Sequence, residues 1–184
     1  MRGIINYIYH FLTDGIFYIG IIIPVFLLLR ILYLKEKKGR RLYFRLDPGG
    51  EFCFLLLAVY LIMLFTQTVI VEAQSIDDIN LIPFAIIVQQ LSDMISTREE
   101  LTIYMLNIFG NVAVFVPVGF LFAGAMGRGF LRTTFYGFFV SLIIEVSQLP
   151  LPRTTDVDDL ILNTLGAAIG CSVYLLIKTA KRKD

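Results

Sequence analysis

The sequence is poor in the residues from which most active centres are built. Its 184 residues include one histidine, His10, and two cysteines, Cys53 and Cys171. A His-based zinc site or a Ser-His-Asp triad would have to rest on His10 alone, which sets both aside. The cysteines form no CxxC pair and sit in apolar segments, so they read as buried, inert thiols rather than a disulfide or a metal clip. There is no nucleophile elbow, zinc motif or phosphate loop, and no internal repeat or low-complexity tract. Charge is scarce, at 17% of residues with a net charge of +1, so nothing directs the chain to nucleic acid. A Sec-type signal with a cleavage site is missing too, and the first long apolar run reads as a retained membrane span. No cofactor or metal is expected.

What the chain has in excess is apolar surface. Hydrophobic residues make up 57% and the mean hydropathy is +0.77, above what a soluble domain carries. Crossing the hydrocarbon core takes roughly 20 mostly apolar residues. Five stretches qualify, at about 15–34, 52–71, 101–125, 133–149 and 158–177. The expected fold is therefore an all-α, polytopic membrane bundle of about five transmembrane helices, in the cell membrane. The first two spans are uninterrupted, whereas the last three contain Asn, Glu, Gln or Asp. Ahead of the first span, IINYIYHFL (4–12) is short and aromatic and suits the membrane interface.

Lys and Arg set the expected orientation. Six basic residues lie in KEKKGRRLYFR (35–45), Arg128 and Arg132 lie between the third and fourth spans, and Lys178, Lys181, Arg182 and Lys183 close the sequence. In a five-span arrangement all twelve fall on one side. The other side receives Arg2, Arg98 and Arg153, while Arg30 lies near the basic end of the first span. This predicts the N-terminus outside, the C-terminus in the cytoplasm, and the 72–100 and 150–157 loops outside. Within the former, NLIPFAIIVQQLSDMIS (80–96) reads as a re-entrant or interfacial segment, with a surface helix on a plain loop as the alternative.

Polar residues within the last three spans carry the functional argument. On a helix, Asp156, Asp159 and Asn163 share one face, continued by Gly166 and Gly170, a GxxxG that lets another helix approach closely. Asp158 points nearly the opposite way. Asp156 can serve as a helix cap and Asp159 can answer the helix dipole, but neither role explains Asn163. Glu145 and Gln148 share a face near the C-terminal end of the fourth span, roughly 7 Å deep at 1.5 Å per residue. The helix dipole opposes a carboxylate there, so Glu145 calls for Arg153, an external cation or protonation. Asn107 and Asn111 share a face of the third span, where interhelical hydrogen bonding is the ordinary role of such residues. Pro117 and Gly119 predict a kink below them. All these side chains fall in the same, outer, half of the bilayer. They are expected to converge on an acidic, amide-lined cleft with Arg153 at its rim.

NLIPF at 80–84, GNVAVFVPVGFL at 110–121, Glu145 with Gln148, and TDVDDLILNTLG at 155–166 together resemble the VanZ-like family, over about 80–170. The chain then divides into residues 1–71, read from hydropathy as an interfacial segment plus two transmembrane helices, and residues 72–184, a VanZ-like domain with an extracellular or re-entrant segment and three transmembrane helices. The resemblance implies low-level teicoplanin resistance in a Gram-positive cell envelope, little or no vancomycin resistance, and independence from rewriting of the D-Ala-D-Ala target.

Three readings of the cleft follow. In the first, Asn107, Asn111, Glu145, Gln148, Arg153, Asp156, Asp159 and Asn163 bind the lipoglycopeptide antibiotic, a lipid-linked peptidoglycan precursor, or both, among membrane lipid. In the second, a membrane enzyme uses Glu145 and Asp159 as acid and base on a lipid-linked substrate, with or without Mg²⁺ or Ca²⁺ between them. The third, an ion or proton transporter, fits least, because the inner halves of the spans lack acids.

Overall fold

A computed structural model describes residues 20, 23–24, 26–36, 47–70, 79–85, 87–89, 92, 101–127, 129–150 and 155–181. The 4–12 stretch, the start of the first predicted span and most of the 35–45 basic loop lie outside these residues, as do Arg153 and the chain's last three residues.

The described chain is a helical bundle. Helix α1 covers 26–36, α2 Pro48–Phe65, α3 Leu101–Met126, α4 Phe130–Gln148 and α5 Val157–Ala180. Among the described residues, four helices are long and apolar enough to cross a membrane: α2 extended to Thr68, α3 from Asn107, α4 and α5. The exposed faces are apolar, as lipid requires, with Leu28, Phe52, Phe109, Phe135, Ile143 and Leu176 all turned outward.

Each helix starts and stops for a local reason. Asp47 caps α2 by accepting from the Gly49 amide at 3.2 Å, with Pro48 in the first turn, where no amide is needed. Arg30 of α1 forks onto Glu51 in the first turn of α2, its Nε 3.0 Å from Oε2 and its Nη2 2.8 Å from Oε1. The guanidinium also lies 4.3 Å from the centre of the Phe54 ring. At its other end α2 widens into a π-helix, Thr66–Ile70. Asp156 caps α5, accepting from the Asp158 amide at 2.9 Å.

Glycine sets the helix spacing. A Cβ on Gly166 would lie 2.1 Å from the Val112 carbonyl oxygen, and one on Gly170 would lie 1.9 Å from that of Val116. From the other side, a Cβ on Gly119 would meet the Ala167 oxygen at 1.9 Å. The backbones of α3 and α5 therefore press together along the GxxxG stripe. Gly119, expected at a kink, is a close-approach site, and the helix runs unbroken through Pro117. Leu57, Leu64, Phe115, Val118, Phe122, Ile144 and Ala167 fill the core.

Before α3, Ile79–Asn80 (β1) pairs in parallel with Thr155–Asp156 (β2). This short bridge lays residues 79–89 against the start of α5.

Candidate functional site

The helices alternate in direction, so four element ends meet at one end of the bundle: the π-helical end of α2, the N-terminal part of α3, the last turn of α4 and the first turns of α5. The polar residues predicted on separate spans collect there. Asp156 is the node. Its Oδ1 accepts from Asn80 Nδ2 and from the Asp158 amide, both at 2.9 Å, and its own amide donates to Glu145 Oε2 at 3.4 Å. Asp159, in the first turn of α5, accepts from Asn111 Nδ2 and ties α5 to α3. It also lies among the charged neighbours of Glu145.

Two further residues bind helices together. Gln148 Nε2 donates to the Thr68 carbonyl at 2.8 Å. That carbonyl belongs to the last turn of the π-helix, which leaves its carbonyls in search of donors. Deeper in the bundle, Asn163 Nδ2 donates to Ser141 Oγ at 2.9 Å, both residues being buried. These are interhelical bonds of the ordinary kind.

The structure thus brings Asn111, Glu145, Gln148, Asp156, Asp159 and Asn163 to one end of the bundle, where they form the candidate site. Asn107 stays on the exposed surface, one turn nearer the N-terminus of α3 than Asn111, and Arg153 lies outside the described residues. Asn80, Ser141 and Thr68 are participants that the span-by-span reading missed. Ser141 was within reach of it, being four residues before Glu145 and hence on the same helix face. Asn80 was not, because only the fold brings 79–80 beside 155–156.

Asp158 has a separate task. It is 1% exposed and faces away from the cleft, as its helical position predicts. Its Oδ1 accepts from the Phe84 amide and its Oδ2 from the Ile87 amide at 3.0 Å.

The chemical capacity of the cleft lies in its carboxylates. Among the described residues, Glu145 Oε1 and Asp159 Oδ2 have no hydrogen-bond partner, while the amide nitrogens of Asn111, Gln148 and Asn163 all donate. Burial raises the Asp156 carboxyl above its ordinary range, helped by the charge of Asp158 and opposed by the bonds from the Asp158 amide and Asn80. The described basic side chains Arg30, Lys35, Arg132, Lys178 and Lys181 belong to the opposite end of the bundle. Among the described residues no group of three or more His, Cys, Asp or Glu side chains is disposed to hold a metal ion.

The profile of the family described as VanZ/LLP1 matches residues 52–178, well over half of the chain. The match takes in nearly all of α2 as well as α3, α4 and most of α5, so it begins upstream of the motifs at 80–166. No curated protein and no solved structure matches.

Proposed function

Because the chain belongs to the VanZ/LLP1 family, we propose that it is a cell-envelope protein conferring low-level teicoplanin resistance. It does so by binding the lipoglycopeptide, or the lipid-linked wall precursor that the drug targets, in the acidic cleft. The observation that carries the reading is the convergence of four chain segments at the bundle end that holds Glu145 and Asp159, each with a carboxylate oxygen that no described residue bonds. Open carboxylates in a low-dielectric setting suit an amine or a row of hydroxyl and amide donors, and glycopeptides and wall precursors offer both. The cleft opens outward in this reading. The acidic end of the bundle lies opposite Lys178 and Lys181, and cytoplasmic loops collect Lys and Arg. Both candidate ligands carry lipid chains, and the exposed apolar faces of α3 and α4 flank the cleft to receive them.

The deciding measurement is the inhibitory concentration of teicoplanin and of vancomycin in a sensitive Gram-positive host, with and without the protein. A rise for teicoplanin alone supports the proposal. No change for either drug overturns it and moves the cleft to a housekeeping ligand. A second reading, catalysis on a lipid-linked substrate, draws on the same observation, since two neighbouring carboxylates can act as acid and base. Full activity in Glu145→Gln and Asp159→Asn variants would exclude it.

A further inference from the structure

The segment from Ile79 to Ser92 carries no charged residue. Where described, it exposes large apolar side chains: Leu81 is 72% exposed, Ile82 69%, Val88 62% and Phe84 55%. An aqueous loop rarely gathers so many. Its backbone is equally unlike that of a loop solvated by water. The Ile82 amide donates to Asn80 Oδ1 at 3.1 Å. Pro83 has no amide hydrogen. The Phe84 and Ile87 amides go to the two oxygens of Asp158. Those of Ala85 and Val88 go to the Ile82 and Phe84 carbonyls at 3.2 and 2.9 Å. Every described amide from 82 to 88 thus finds its partner inside the protein. Backbone donors at hydrocarbon depth must find their acceptors inside the protein, and these amides do.

We infer that residues 81–85, 87 and 88 form a wedge seated in the acyl-chain region of the membrane, in the leaflet that the acidic cluster faces, with Asp158 as the buried acceptor that makes this position tolerable. The occupant of its apolar face is bilayer lipid. The same end of the bundle exposes further apolar side chains, Ile143, Val146 and Leu149 among them. Phe84, in the left-handed region at φ 64°, makes the turn that presents both its own amide and that of Ile87 to Asp158. Whatever ligand the cleft takes, the wedge places lipid directly beside Asp156, through Asn80.

The sequence contains no tryptophan, so one introduced indole reports alone. Leu81→Trp, reconstituted as the full chain in phosphatidylcholine vesicles, should show blue-shifted emission. Phospholipids brominated along the acyl chain should quench most of it, and aqueous iodide should leave it almost untouched. Val88→Trp repeats the measurement at the far end of the wedge should the first variant fail to fold. Strong iodide quenching overturns the proposal in favour of an aqueous loop. Protection from both quenchers overturns it in favour of a protein contact, such as a second copy of the chain. Adding Asp158→Ala strips two amides of their acceptor, so the indole should shift from bromolipid to iodide quenching. Unchanged quenching in that background removes Asp158 from its assigned part.

Discussion

Glu145 is 7% exposed at the carboxyl end of α4, where the helix dipole opposes its charge. Among the described residues its one hydrogen bond is the 3.4 Å contact from the Asp156 amide. A side chain kept for stability would be better provided for. Glu145→Gln preserves volume and removes the charge, so the protein should melt at the same temperature or higher in detergent. On the proposed function, ligand binding and teicoplanin resistance should fall, since a charge-assisted hydrogen bond contributes about 1.5–3 kcal/mol, or tenfold and more in affinity. A lowered melting temperature with unchanged resistance would make Glu145 structural. Asp156 behaves differently with pH. Its carboxyl is raised above 3.8 in the fold, so the folded chain holds the proton more tightly than the unfolded one. Its stabilising contribution is complete below 3.8 and is lost as pH rises through the folded value. An Asp156→Asn variant keeps the Oδ1 acceptor of the cap. Its melting temperature relative to the parent should climb as pH rises from acid towards neutral, and a pH-independent difference would contradict this account.

At the scale of elements, the α3–α5 contact is the tightest joint in the bundle. A Gly166→Leu substitution drives a side chain into the Val112 carbonyl, which must move. Overpacking of this kind costs about 1–3 kcal/mol. It should also pull Asn111 from Asp159, so stability and resistance are expected to drop together. Gly20→Leu, which meets nothing within 4 Å, should leave the melting temperature unchanged in the same assay. This joint was legible in the sequence, because GxxxG spacing on a polar-headed helix fixes which face is small. The shared faces of Asp159 with Asn163 and of Glu145 with Gln148 were legible for the same reason, since helical periodicity places them without any knowledge of neighbours. The partners were not. That Asn163 meets Ser141, Gln148 a π-helical carbonyl and Asp158 two loop amides depends on helix rotation, which one sequence leaves open. The short β1–β2 bridge was invisible, because its two-residue pairing leaves no periodicity to read.

For the molecule as a whole, the four described spans and the collection of polar groups at one end could be read from hydropathy and from the position of each polar residue within its span. Orientation rests on Lys and Arg and is open to direct test. In a cysteine-free background, Ser75→Cys should react with a membrane-impermeant maleimide in intact cells, and Lys183→Cys only after permeabilisation. The reverse pattern would place the cleft in the cytoplasm and remove it from any meeting with an extracellular drug. Finally, α3 and α5 run in the same direction and are not consecutive, for α4 returns the chain between them. Co-translational assembly therefore cannot proceed helix by helix. Until α5 leaves the translocon, α3 has Asn111 without its acceptor and an uncovered strip of helix backbone at Val112 and Val116. α5 is thus the keystone of the bundle, and α3 must wait in the membrane, or in the insertion machinery, until it arrives.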